Sequence, residues 1–169
     1  LHRTGRNVCV WGFDAEYAKQ VSNSRVNPRY LPGIKIPNQI VWTGNIDIAI
    51  KNATEVYCVI PTQFIRPTLE RFEGGLAHLP AFSASKGLEL STFKRPTEIL
   101  SDFFDDKNQI GVVSGPSHAE ETALGLATSL VVAAPTLPLA KIAQNGLSSS
   151  AMRVYTSDDL VGVELGGAL

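Results

Sequence analysis

The sequence predicts an α/β fold built on a doubly wound parallel sheet. Two observations carry this reading. Short apolar runs ended by glycine or proline recur along the chain, and each is followed by a stretch with helical apolar spacing. Strands that alternate with helices at this interval imply βαβ units, whose strands run parallel. With 169 residues, 44% of them hydrophobic, the chain can bury the core of one domain.

Each element follows from its residues. Arg6–Trp11 reads as a strand entered from a turn at Gly5, and Asp14 as the cap of a helix running to about Ser22. Pro28, Pro32, Gly33 and Pro37 break up the next segment into a surface loop. Asn45–Asn52 carries Ile46, Ile48 and Ile50, with Ala49 and Ala53 giving a partial helical face. Glu55–Ile60 is a buried strand stopped by Pro61, with a helix from about Gln63 to Phe72 behind it. Strands follow at Ala81–Ala84, Ile110–Val113, Ser129–Ala133 and Met152–Tyr155. Helices are predicted over Pro96–Phe104, His118–Leu126 and Pro138–Leu147, with a last one beginning at Asp158.

Composition narrows the function classes. Fifteen basic and sixteen acidic residues leave a net charge of −1, so nothing marks a nucleic-acid surface. Cys9 and Cys58 both lie in apolar runs, which predicts buried free thiols rather than a disulfide. No CxxC or Cys/His cluster suggests a metal site, and His2, His78 and His118 have no ligand-like partners. No apolar run approaches the roughly 20 residues of a membrane span, and Leu1–Gly5 is unlike a secretory signal. These features point to a cytoplasmic protein.

In a doubly wound sheet, ligands bind beyond the carboxyl ends of the strands. Four such ends stand out: Trp11-Gly12-Phe13-Asp14, Pro61-Thr62-Gln63-Phe64, Ser85-Lys86-Gly87, and Ser114-Gly115-Pro116-Ser117-His118-Ala119-Glu120. In the last, Ser117 and Glu120 have the spacing of a capping box, and Gly115 permits close backbone approach. A helix start of this kind favours a phosphate or carboxylate, although the same spacing also suits a capped helix without a ligand. Lys86 at a strand end can pair with phosphate or polarise a carbonyl, or can simply be solvated. Ser114-Gly115 lacks the flanking glycines of a nucleophile elbow, which argues against hydrolase chemistry. The GxGxxG turn of a dinucleotide-binding sheet occurs nowhere in the chain.

Taken together, the segments resemble the NAD(P)-dependent glycerol-3-phosphate dehydrogenase family along essentially the whole chain. The resemblance rests on Asn27-Pro28-Arg29-Tyr30-Leu31-Pro32-Gly33, Val59-Ile60-Pro61-Thr62-Gln63-Phe64 and Ser85-Lys86-Gly87-Leu88-Glu89. It continues through Val113-Ser114-Gly115-Pro116-Ser117-His118-Ala119-Glu120-Glu121, Arg153-Val154-Tyr155-Thr156 and Gly162-Val163-Glu164-Leu165-Gly166-Gly167-Ala168-Leu169. No one stretch is specific, but their order and spacing are.

The resemblance implies a Rossmann-like domain, with its first strand and glycine-rich loop upstream of Leu1 and a helical substrate domain beyond Leu169. It implies reversible reduction of dihydroxyacetone phosphate to sn-glycerol 3-phosphate with NADH or NADPH, feeding glycerolipid synthesis. Lys86 is then a contact to both cofactor and substrate and the catalytic positive charge, Gly115 and Ser117 hold the substrate, and Phe13, Phe64 and Ala119 touch the cofactor. Trp11 packs within its strand. A lysine directly after the Gly-Gly-Ala-Leu run is the family's proposed proton donor, so the 169 residues alone are expected to be close to inert. NAD is favoured over NADP because Gly12–Glu16 contains no cation and carries Asp14 and Glu16. A homodimer is implied for the full-length enzyme. Two other readings stay open: a related dehydrogenase of another hydroxy acid, which would lack these motifs in this order, and a non-catalytic nucleotide-binding module, which would suit the absent GxGxxG.

Overall fold

The computed structural model describes residues 1–168. The strands are β1 (Cys9–Trp11), β2 (Val26–Asn27), β3 (Leu31–Lys35), β4 (Val41–Thr43), β5 (Val56–Cys58), β6 (Ala81–Ser83), β7 (Ile110–Ser114), β8 (Thr128–Ala133) and β9 (Met152–Ser157). The helices are α1 (Ala15–Ser24), α2 (Ile46–Ile50), α3 (Ile65–Leu69), α4 (Pro96–Leu100), α5 (Ala119–Leu124), α6 (Leu137–Leu147) and α7 (Leu160–Ala168). Among the described residues, no helix is long and apolar enough to cross a membrane.

The main sheet has the order β5-β6-β7-β8-β9. Its strands alternate faces, as the two-residue period of a strand requires. Ala81 and Ile110 face one layer, with Ile65 and Leu69 of α3 and Ile99 and Leu100 of α4. Phe82 and Val113 face the other, with Leu139, Ala140 and Ala143 of α6. Helices therefore cover both faces, and the doubly wound α/β architecture is present.

The expectation of a wholly parallel sheet needs correction at one step. β5, β6 and β7 run parallel, but β8 pairs antiparallel with β7, and β9 pairs parallel with β8. A parallel return needs a crossover element packed on the sheet face. The intervening α5 buries no residue, so it does not supply one and the chain turns straight back.

β1 pairs in parallel with β4 in a separate two-stranded sheet. The Arg6–Glu55 ion pair (3.6 Å) and an edge-on Trp11–Phe72 contact (5.0 Å between centroids) tie this piece to the rest. β4 was not expected from the sequence, because three residues are too few to show a period. The expected loop around Pro28–Pro37 is partly a hairpin, β2 against β3. Pro32 is tolerated because β3 is an edge strand, where a missing N–H leaves no partner unsatisfied.

Local chemistry sets the helix starts. Asp14 caps α1 by accepting from Tyr17 N (2.9 Å), and Asn45 caps α2 by accepting from Ile48 N (3.1 Å). The helix expected over Gln63–Phe72 is broken into a 3₁₀ turn, the short α3, and a second 3₁₀ turn. Cys58 is buried as expected, but Cys9 is exposed: its apolar run lies in a small edge sheet rather than the core.

Candidate dinucleotide and phosphate site

The parallel strands β5, β6 and β7 end side by side, with Cys58, Ser83 and Val112 in register. The turns that leave them hold most of the candidate residues. After β5 comes Pro61–Phe64, with the Phe64 ring exposed. After β6 comes Ser85–Gly87, with Lys86 exposed and Gly87 at φ +90°. After β7 comes Ser114–Ser117, with Ser117 exposed.

The first two turns are stapled together. Ser85 Oγ donates to Ile60 O (2.5 Å), and Thr62 Oγ1 donates to the carbonyl of Lys86 itself (2.6 Å). Gln63 uses both ends of its amide: Nε2 donates to Leu88 O (2.7 Å), and Oε1 accepts from Leu90 N (3.0 Å). Behind them Arg66 pairs through two nitrogens with the buried carboxylate of Glu89 (2.9 and 3.0 Å). That guanidinium, helped by the Thr92 hydroxyl, holds the Glu89 carboxyl below the usual carboxylate range. Asp102 is likewise lowered, first by Lys94 and then by Arg66. The backbone root of Lys86 is thus fixed, while its ammonium has no hydrogen-bond or ion-pair partner among the described residues. A fixed root with an uncommitted cation at its tip is suited to receiving an anion.

Gly115 makes the third turn possible. Its φ of +151° lies outside the range L side chains favour, and a Cβ there would sit 2.6 Å from Ser129 O. The expected capping box does not form. α5 begins at Ala119 with His118 in the cap position and no side-chain cap, and its first turn carries Glu120 and Glu121. Two carboxylates at that end oppose an anion, so the start of α5 is not the capped, anion-favouring helix end that the sequence predicts. Any role of Gly115 and Ser117 rests on the turn itself. Ala119, exposed, follows as the first residue of α5.

The end of β1 is furnished differently. Phe13 is 70% exposed, and the Arg71 guanidinium lies over its ring at 4.5 Å and over Trp11 at 5.3 Å. Trp11 is fixed beneath by a bond from Nε1 to Gly44 O (3.2 Å), which agrees with its expected packing role. Asp14 is committed as a helix cap and lies 3.6 Å from Arg29. The segment Gly12–Glu16 holds no cation of its own, but the fold brings Arg71 and Arg29 to it from distant positions. Sequence reasoning assigned no role to Arg71, Arg29, Thr62, Gln63, Arg66 or Glu89, because their partners lie 15 to 58 residues away along the chain.

Comparison with known proteins decides the family. Residues 1–140 match the model of the NAD-dependent glycerol-3-phosphate dehydrogenase N-terminus. The chain belongs to this family. It is 37% identical to the glycerol-3-phosphate dehydrogenase [NAD(P)+] of Fusobacterium nucleatum subsp. nucleatum over 171 residues, covering all of the chain and 51% of that protein. It is 38% identical to the same-named protein of Limosilactobacillus reuteri, covering all of the chain and 52% of the relative. The chain therefore spans about half the length of the curated family members it matches. Among solved structures, glycerol-3-phosphate dehydrogenase from Coxiella burnetii superposes with a TM-score of 0.89 at 25% identity, over 99% of this chain and 51% of that one. A Dunaliella salina structure gives 0.82 at 19% identity over 96% of this chain and 29% of that one, a likeness of fold. Family membership agrees with the Rossmann-like expectation, and the relatives are named for NAD(P)+.

Proposed function

We propose that this chain forms the nucleotide-binding part of a glycerol-3-phosphate dehydrogenase, which reversibly reduces dihydroxyacetone phosphate to sn-glycerol 3-phosphate with NADH or NADPH. Family membership over residues 1–140 carries this reading. The stapled Lys86 turn, standing beside the Gly115 turn, supplies the local chemistry. A cytoplasmic location, a homodimeric assembly and a supply of glycerol 3-phosphate to glycerolipid synthesis belong to the same proposal.

The residues present fit a dinucleotide. Exposed aromatic rings at Phe13 and Phe64 offer faces for the flat groups of the cofactor, with Ala119 a small contact nearby in sequence to the Gly115 turn. When bound, the nicotinamide supplies a hydride to the carbonyl carbon of the substrate. The ammonium of Lys86 stabilises the charge that develops on the carbonyl oxygen and contacts the cofactor from the same position. Backbone approach at Gly115 and the hydroxyl of Ser117 hold the substrate, whose fixed orientation supplies much of the rate. The proton that completes the alcohol comes from a general acid outside these six residues.

The test is a chimera in which this chain replaces the matching half of the Fusobacterium nucleatum relative. It should oxidise NADH or NADPH when dihydroxyacetone phosphate is added. A well-folded chimera that fails to do so, beside an active parent, would remove the reading.

A further inference from the structure

Among the described residues, Arg71 is the one cation stacked over the aromatic residues at the end of β1. Its guanidinium lies 4.5 Å from the Phe13 ring centroid and 5.3 Å from that of Trp11, across 58 residues of chain. The platform is rigid, since Trp11 is bonded to Gly44 O and braced edge-on by Phe72. Among the described residues, no carboxylate lies within 4 Å of Arg71 and its nitrogens donate to no acceptor. A stacked guanidinium keeps its N–H groups at its rim, where they match phosphate oxygens in pairs.

Position gives this cation a meaning. In a doubly wound dinucleotide fold, the end of the second strand faces the adenosine ribose, where an acidic residue suits a free 2′-hydroxyl and a nearby arginine suits a 2′-phosphate. The nearest acid, Asp14, is drawn away from that role: one oxygen caps Tyr17 N and the other faces Arg29 at 3.6 Å. Glu16, exposed in the first turn of α1, and Glu70 and Glu73, beside Arg71 in its own turn, are the other carboxylates on these elements. We propose that Arg71 is a specificity-determining residue that receives the 2′-phosphate of NADPH, with Arg29 adding to the local positive field, so that this domain accepts NADPH despite the absence of a cation in Gly12–Glu16. The proposal rests on the dinucleotide-binding reading above and deepens it.

The experiment is an NMR titration of the ¹⁵N-labelled 169-residue chain with adenosine 2′,5′-bisphosphate and, separately, adenosine 5′-monophosphate. The unmodified chain should bind the bisphosphate more tightly, with shifts centred on Phe13 and Arg71. Arg71→Ala should shrink the ratio of the two Kd values by about tenfold, the worth of one charged hydrogen-bonding partner, while Arg71→Lys keeps part of it. Raising salt from about 0.05 to about 0.3 M should weaken the bisphosphate more than the monophosphate. If both nucleotides bind but Arg71→Ala leaves the ratio unchanged, Arg71 only packs and this proposal fails while the nucleotide-binding reading stands. If neither nucleotide shifts any resonance, both fail.

Discussion

Glu164 of α7 grips Thr97 at the start of α4 by both of its donors: Oε1 accepts from Thr97 N (2.8 Å) and Oε2 from Thr97 Oγ1 (2.6 Å). Oε2 also pairs with Arg95 Nη1 at 2.7 Å, and the Glu164 side chain is only 2% exposed. A carboxylate in the second turn of the last helix is thus sealed against an element 67 residues earlier. It is the one buried residue of α7.

Removing this carboxylate should destabilise the chain strongly. Breaking a buried pair strands the partner charge and costs roughly 3 kcal/mol. For a domain of this size that lowers Tm by about 6–12 °C. Glu164→Ala should show such a loss in a thermal melt, and Arg95→Ala a comparable one. The double variant should lose less than the sum, because the two side chains form one unit. Additive losses would mean that the pair is not coupled.

The Arg66–Glu89 pair predicts a pH signature. Arg66, then Thr92, hold the Glu89 carboxyl below its ordinary value of 4.5. A folded pKa below the unfolded one stabilises the native chain fully above that ordinary value, and the stabilisation is lost as pH falls through the lowered one. Asp102, lowered by Lys94 and Arg66, acts in the same sense. Glu89→Gln should therefore melt earlier than the parent at neutral pH, and the two curves should converge in acid. A gap that stays constant down to about pH 3 would show that Glu89 contributes shape rather than charge.

How much of this was legible follows from where the information lies. Glu55–Ile60, Ala81–Ala84 and Ile110–Val113 announced themselves because a strand buried on both faces needs a short apolar run, and each run is closed by a residue that stops it. The residues after those strands could then be picked out, since the fold class places ligands there. The direction of β8 could not be read, because it depends on whether α5 packs on the sheet, and a six-residue helix carries too little pattern to say. Cys9 looked like core by its neighbours, yet its strand lies at an edge. The contacts of Gln63 with Leu90, of Arg71 with Phe13 and of Glu164 with Thr97 are choices of one side chain across long separations. Nothing in their spacing marks them.

Thiol chemistry should separate the two cysteines. Burial raises both, and pushes the buried Cys58 up to about 11. Access then decides the outcome, because the thiolate is the reacting form and only Cys9 meets solvent. Iodoacetamide at about pH 8 should alkylate Cys9 in the native chain and reach Cys58 only after denaturation, as read by peptide mass spectrometry. Equal labelling of both would contradict the burial of β5.

Lys86 offers the most searching test, because its neighbours make a prediction about how it works. Lys86→Ala in the chimera should cut kcat/KM by roughly 10²–10³ through loss of one preorganised charge, and should leave melting within about 0.5 kcal/mol of the parent. Lys86→Arg should rescue poorly, since a planar fork does not replace a compact ammonium. Thr62 and Gln63 touch the Lys86 turn through its backbone, so they act through the position of the ammonium. Thr62→Val removes the bond to the Lys86 carbonyl, worth about 1 kcal/mol, and should lower kcat/KM by roughly fivefold, with Thr62→Ser close to the parent. In the Lys86→Ala background the same Thr62→Val change should matter by less than about twofold, because there is no ammonium left to misplace. If Thr62→Val costs as much with Lys86 gone as with it present, the staple serves the fold alone. If Lys86→Ala keeps more than about a third of kcat/KM, the placement of positive charge at this turn is wrong.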